Sequence, residues 1–251
     1  MQLQDYQDRF EFVRLRREDG VLEATLHRNG ATAKWDYGPT GIHGQLGDVF
    51  HAIGQDPENR VVILTGAGDT FMTEFDAGDP DKAEPPGAAF WDRIYREGKA
   101  LLHNLLQIEV PVIGAINGDA FIHAELLVLS DIVLCADHAR LADKAHFVNG
   151  GVPGDGAHVV WPMLLGPNRG RYFLLTGQEL DAAEALRLGV VAEVLAKDQL
   201  MSRAWALARQ IAAKPPLTAR YSRVALTQDL RQRLLSELSH GLMLEGMAFM
   251  R

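Results

Sequence analysis

The alternation of apolar and polar positions divides the chain into a long mixed stretch and a helical tail. FEFVRLR and VLEATLH flank Glu18-Asp19-Gly20, so residues 10–27 read as a hairpin. Ile42, Leu46, Val49, Phe50 and Ile53 recur at helical spacing over 42–53. VVILT (61–65) is a short β-branched strand that runs into Gly66-Ala67-Gly68. Trp91, Ile94, Leu101, Leu102 and Leu105 lie on related faces of a helix over 88–107. PVIGAI (111–116), DIVLCA (131–136) and VVAEVL (190–195) read as further strands. From Ala77 to Gly87, Gly, Pro and Asp dominate, which predicts a mobile loop.

Strands that alternate with helices predict an α/β fold with parallel pairing. From Asp181 onward helical patterning takes over, in DAAEALRLG, in 198–213 and in 216–250. No low-complexity linker or internal repeat interrupts the chain. The expected organisation is a core over 1–196 and a helical region over 197–251, packed as a lid or an oligomer contact.

Composition narrows the picture. With 251 residues and 47% hydrophobic content the chain can bury a sizeable core. No apolar run reaches the length of a membrane helix, and MQLQDYQDRFEF has no apolar signal core. A formal charge of −8 disfavours a nucleic-acid groove. Cys135, the single cysteine, lies inside IVLCAD and reads as a buried thiol. A cytoplasmic, soluble protein is the expectation. HExxH, Cys-His clusters and a strand-borne GxGxxG are all missing, so neither a metal nor a dinucleotide cofactor is expected.

Four segments, in order and spacing, resemble the crotonase (enoyl-CoA hydratase/isomerase) superfamily. They are VVILTGAGDTF (61–71), PVIGAINGDAF (111–121), ELLVLSDIVLCAD (125–137) and the long run from Val152 to Leu195. The resemblance implies a superhelix of ββα units, a C-terminal helical region, and homotrimers or dimers of trimers. Three departures stand out. Phe121-Ile122-His123 replaces the glycine run whose backbone N–H helps hold a thioester oxyanion in ordinary members. Glu125 falls at the first hydratase glutamate, but His146 falls at or near the second. FMTEFDAGD is an altered version of the first oxyanion loop.

These departures resemble one branch, 6-oxocamphor hydrolase and related β-diketone hydrolases. The matching features here are His123, His146-Phe147, the run VPGDGAHVVWP and Glu245, with Trp35 and His43 in a segment where the branch has a Trp and a His at different spacing. The resemblance implies cofactor-independent retro-Claisen cleavage of a cyclic or bicyclic diketone to a keto acid.

The residue types suit that chemistry. A His–Asp pair can take a proton from water near neutral pH, and His146 and Asp155 lie nine residues apart across a Gly-rich bend. The bland readings are an Asp155 that braces the PGDG turn and a satisfied structural His146. His123 and the indole of Trp35 can donate to an oxyanion, each contributing about 3 kcal/mol to the transition state. Their bland readings are a helix-start histidine and ordinary aromatic packing. Glu245 can polarise His146 or order water, or be a solvated helix residue. His43 is a candidate substrate contact, or a surface group like His51 on the same helix. Glu125 reads as structural. Two rival functions stay open: an acyl-CoA hydratase or isomerase using Glu125, and a non-catalytic binding protein on the same fold.

Overall fold

The computed structural model describes residues 1–76 and 87–250. The loop expected over 77–87 lies outside them except for Gly87. Two strands, β1 (Val13–Glu18) and β2 (Val21–Leu26), form the antiparallel hairpin expected at the N-terminus. Asp19 and Gly20 close it at φ 49° and 81°, the left-handed backbone that a two-residue hairpin turn requires. From β2 the main sheet continues in parallel through β4 (Val61–Gly66), β6 (Val112–Ile116), β7 (Ile132–Ala136) and β10 (Glu193–Leu195). Strands β4 and β6 are apolar and buried along their length, as parallel strands covered on both faces must be.

Short strands form a second layer. They are β3 (Ala33–Trp35) parallel to β5 (Met72–Phe75), and β8 (Arg140–Leu141) antiparallel to β9 (Leu180–Asp181). Ala120 bridges the two pairs through Met72 and Leu141. The helices α1 (Ile42–Gln55), α2 (Ala88–Gln107) and α3 (Glu125–Val128) follow this layer, and α4 (Ala157–Leu165) and α5 (Pro167–Thr176) come later. The chain thus repeats strand, short strand, helix: β2-β3-α1, β4-β5-α2, then β6, the Ala120 bridge and α3. This is the mixed α/β superhelix of ββα units that the sequence predicts. The short second strands were missed, because two to four residues carry too little periodicity to read.

The turn at Asn117-Gly118 locks neighbouring units together. Asn117 Nδ2 donates to the carbonyls of Gly68 and Thr70 at 3.1 and 3.0 Å. Gly118 is required there, since a Cβ would overlap the Asp69 carbonyl.

After α6 (Ala182–Arg187), α7 (Lys197–Ala212) lies on the main sheet and buries Leu200, Ala204 and Ala208. The single helix expected over 216–250 is instead two, α8 (Pro216–Leu226) and α9 (Gln228–Phe249). At the break, the Thr227 hydroxyl donates back to the Arg223 carbonyl at 2.8 Å, and buried Arg223 is tied to Asp131 at 2.7 Å. The break lets α9 cross α2 and α4. Among the described residues no helix is long and apolar enough to cross a membrane.

Candidate active site

Each ββα unit delivers side chains to one place from the stretch that runs from the end of its second strand to the first turn of its helix. The first supplies Trp35, Tyr37 and His43, the second Phe75, the third His123. The segment after β8 supplies Asp143, His146 and Asp155.

His123 stands at φ +51°, the left-handed region. Histidine is one of the few non-glycine residues enriched there. Of the three residues that replace the expected glycine run, His123 alone keeps a positive φ. The Phe121 and Ile122 backbone N–H groups both donate to the Met72 carbonyl, at 2.9 and 3.1 Å, so neither is left for a ligand.

Asp155 joins two histidines. One carboxylate oxygen is 3.0 Å from His123 Nδ1 and the other 3.3 Å from His146 Nε2. His146 Nδ1 faces Asp143 at 2.8 Å, and His123 Nδ1 also faces Glu125 at 2.6 Å. Both imidazoles are buried. Burial works against the His123 cation, but the charge of Glu125 and the hydrogen bond and charge of Asp155 outweigh it and push the ring up to about 9. His146 is likewise opposed by burial and held well above its ordinary value by Asp155 and Asp143. Burial would raise Asp155, yet the two histidines hold it well below the usual carboxylate range.

The indole of Trp35 lies on His123, ring centroids 3.9 Å apart. Trp35 Nε1 and His123 Nε2 are buried without a hydrogen-bond partner, and His146 Nε2 has only the long contact to Asp155. His43 stands behind the indole, 5.6 Å from it edge to face, with Nδ1 3.0 Å from Glu97. Glu245, from α9, has a buried Oε2 without a partner. Burial, reinforced by the charge of Asp155, pushes its carboxyl up to about 8. Glu125 is buried against His123, and burial raises it too.

A cavity of about 410 Å³ ends on His146 and Glu245 and is walled by Tyr37, Phe75, Phe90, Trp91, Ile94 and Phe249 among others. Trp35, His43, His123 and Asp155 do not line it; they stand one layer behind. A larger groove, about 840 Å³, runs along the C-terminal ends of α1 and α2 and is far from this cluster. Among the described residues, His123, His146 and Asp155 form a group whose donor atoms lie within 4.8 Å of one another, close enough to hold a metal ion. A search for linear metal motifs is blind to it, because the donors come from separate segments. Each Asp155 oxygen already faces a different imidazole, a pairing that balances charge without an ion.

The enoyl-CoA hydratase/isomerase family model matches residues 17–249. The chain belongs to the enoyl-CoA hydratase/isomerase family. Among relatives of this family member, the carnitinyl-CoA dehydratase of Citrobacter koseri is 36% identical over 211 residues, covering 82% of this chain and 77% of that protein. The Escherichia coli carnitinyl-CoA dehydratase matches to the same extent, 36% over 211 residues. Among solved structures, a β-diketone hydrolase from the cyanobacterium Anabaena, bound to (S)-3-oxocyclohexyl acetic acid, superposes with a TM-score of 0.93. It is 43% identical and covers 98% of this chain and 97% of its own. An enoyl-CoA hydratase/isomerase from Mycobacterium paratuberculosis gives a TM-score of 0.84 at 26% identity, over 96% of this chain and 94% of its own.

Within the family frame, several residues of this site escaped the sequence reading. Asp143 had a usable signal, three residues before His146. Tyr37, Glu97 and Arg93 had none, since a Glu and an Arg four apart on a helix look like a solvent-facing pair.

Proposed function

We propose that the protein is a cofactor-independent hydrolase that cleaves a carbon–carbon bond of a cyclic or bicyclic β-diketone by a retro-Claisen reaction. The observation that carries this reading is the cluster at Asp155, whose two oxygens hold His123 and His146, beside two buried ring nitrogens, Trp35 Nε1 and His123 Nε2, that have no acceptor. A buried donor left unpaired costs about 1–3 kcal/mol. Two side by side make sense where a reacting oxygen arrives to accept from them.

Water adds to one carbonyl and gives its proton to His146, which Asp143 and Asp155 orient. The reacting carbonyl reaches past His146 into the layer behind the cavity wall, where the tetrahedral oxyanion accepts from Trp35 Nε1–H and His123 Nε2–H. Collapse of the adduct forms the carboxylic acid and breaks the carbon–carbon bond. The bonding electrons pass to the second carbonyl as an enolate. Protonation at carbon then yields the keto acid. Glu245, a neutral acid at neutral pH, lines the cavity and can order the water or supply that proton. The diketone is its own electron sink, so the reaction calls for no cofactor.

The similarity to carnitinyl-CoA dehydratases keeps an acyl-CoA reaction at Glu125 as the second reading. Against it, Glu125 is spent on His123, and the Phe121 and Ile122 N–H groups are bonded to Met72. The deciding experiment offers mono-, bicyclic and linear 1,3-diketones, followed by loss of enolate absorbance, beside carnitinyl- and crotonyl-CoA. Diketone turnover with inert thioesters supports the first reading; the converse result overturns it. The homotrimer or dimer of trimers that the family resemblance implies belongs to the same proposal. Exposed Phe147, Val148, Tyr172 and Leu175 suit an interface, and sedimentation tests it.

A further inference from the structure

Behind Trp35 a second cluster of charged and polar groups touches neither the cavity nor Asp155. Glu97, midway along α2, accepts from His43 Nδ1 at 3.0 Å and from Arg93 Nη1 at 2.8 Å. Arg93 Nη2 donates to the Tyr37 carbonyl at 2.7 Å. Three segments therefore meet on one ion pair: the first turn of α1, the middle of α2, and the segment that follows β3. Gly44 makes room for it, because a Cβ there would come within 3.1 Å of the Glu97 carboxyl.

We propose that Glu97, with Arg93, is a positioning residue that holds His43 and the Trp35–Tyr37 segment so that the indole stays seated on His123. An ion pair serving only to join α1 to α2 would need no bond to a backbone carbonyl. Here one arm of the guanidinium grips the carbonyl two residues beyond Trp35. The other arm fixes the carboxylate that orients His43. His43 in turn packs its ring edge-on against Trp35 at 5.6 Å and against Tyr37 at 5.4 Å. Trp35 Nε1 has no well-formed hydrogen bond, and the polar side chain beside it is that of Tyr37, whose own carbonyl Arg93 holds. Its orientation rests on the rings around it: His123 on one side, held by Glu125 and Asp155, and His43 on the other, held by Glu97.

The tautomer follows from the same contact. Burial lowers the His43 imidazolium against the pull of Glu97, so the ring is neutral near neutral pH. With Nδ1–H donated to Glu97, His43 adds no cation behind Trp35, and the charge of Arg93 is paired with Glu97. A flip of the ring would break both the hydrogen bond and the edge contact.

This inference rests on the diketone reading for its kinetic readout, but not for its spectroscopic one. The variants are Glu97→Ala, Glu97→Gln and Arg93→Lys in the full chain. Nitrogen-15 and proton NMR of the imidazoles report the His43 tautomer and the ring-current shift that Trp35 imposes on His123. In Glu97→Ala we expect loss of the Nδ1–H tautomer, a reduced ring-current shift at His123, and a kcat lowered about 10–100-fold with KM within about threefold. Glu97→Gln, whose amide oxygen still accepts from Nδ1–H, should keep the tautomer and stay within about threefold of the parent. Arg93→Lys, which cannot reach both partners, should keep the tautomer and lower kcat. An unchanged tautomer and ring-current shift in Glu97→Ala would overturn the proposal, as would Gln and Ala variants equally impaired in a folded protein. If Glu97→Ala does not fold, a parental kcat in Arg93→Lys overturns it instead. If the parent turns over no diketone, the function reading fails, and the NMR signatures still decide this one.

Discussion

Trp35 and His123 form a tilted donor pair, ring centroids 3.9 Å apart and planes inclined by 42°, with Nε1 and Nε2 both buried and unpaired. A relative that holds an oxyanion with backbone amides needs a glycine run at this loop. Here the amides of Phe121 and Ile122 are committed to Met72, and two side-chain rings offer the N–H groups instead. Trp35→Phe keeps an aromatic ring on His123 and removes one donor. Its kcat should fall by about 10²–10³-fold with little change in KM, measured with whichever diketone the parent accepts best. A KM effect alone would place the indole in ground-state binding.

Asp155→Asn removes the charge shared by His123 and His146. The expected result is a kcat lower by about 10²–10⁴-fold. Both imidazoles should also move down toward ordinary histidine values in an NMR titration, because the carboxylate that raises them is gone. Unchanged imidazoles would separate Asp155 from the proton chemistry.

The rate should rise with pH above 6.5. His146 must be neutral to take a proton, and its environment holds it as a cation well above that value. His123 must remain a cation to donate best, and it loses its proton near 9. A kcat/KM profile on the alkaline side, turning over near pH 9, is the expectation. An optimum below pH 6.5 would contradict this division of roles.

Stability should run the other way. Histidines raised in the folded state contribute stability that is complete below their unfolded pKa and lost as pH climbs through the folded one. For His123 that window spans 6.5 to about 9. Glu245, raised from 4.5 to about 8, becomes a growing cost between those two values and adds none above, since its anion is favoured only in the unfolded chain. Thermal melts should therefore show Tm falling from pH 6.5 to 9, while activity increases. On the acid side, Asp155, held low in the fold, loses its contribution as pH drops below 3.8.

Gly154 and Gly241 meet backbone to backbone, and a Cβ on Gly154 would overlap the Gly241 carbonyl and crowd Glu245. This contact seats α9 on the turn that carries Asp155. Gly154→Ala should destabilise by about 1–3 kcal/mol in denaturant unfolding and lower activity beyond the loss of folded protein. Dialysis against EDTA is a separate check on the His123, His146 and Asp155 cluster: unchanged turnover fits the proposed cofactor-free reaction, whereas a loss restored by one divalent ion would assign the cluster to a metal.

Much of this protein was legible in its order of residues. β-branched runs and helical spacing are local signals, so α1, α2, the hairpin and strands β4, β6 and β7 could be read directly. The segment Val152 to Leu195 and the His123, His146 and Glu245 positions announced a variant of a known family pattern. His146 stood out through the family resemblance, and nine residues across glycines made a bend that could bring Asp155 to it. The folded chain decided what spacing cannot express. It put His123 on the same carboxylate as His146, from a segment 32 positions before Asp155. It gave His123 alone the left-handed backbone, set His43 behind Trp35 rather than on the cavity, and turned an ordinary-looking Glu97 and Arg93 into a brace for the site. Local sequence carries periodicity and turn chemistry. Which polar groups meet depends on how successive ββα units stack, and that is a property of the whole core.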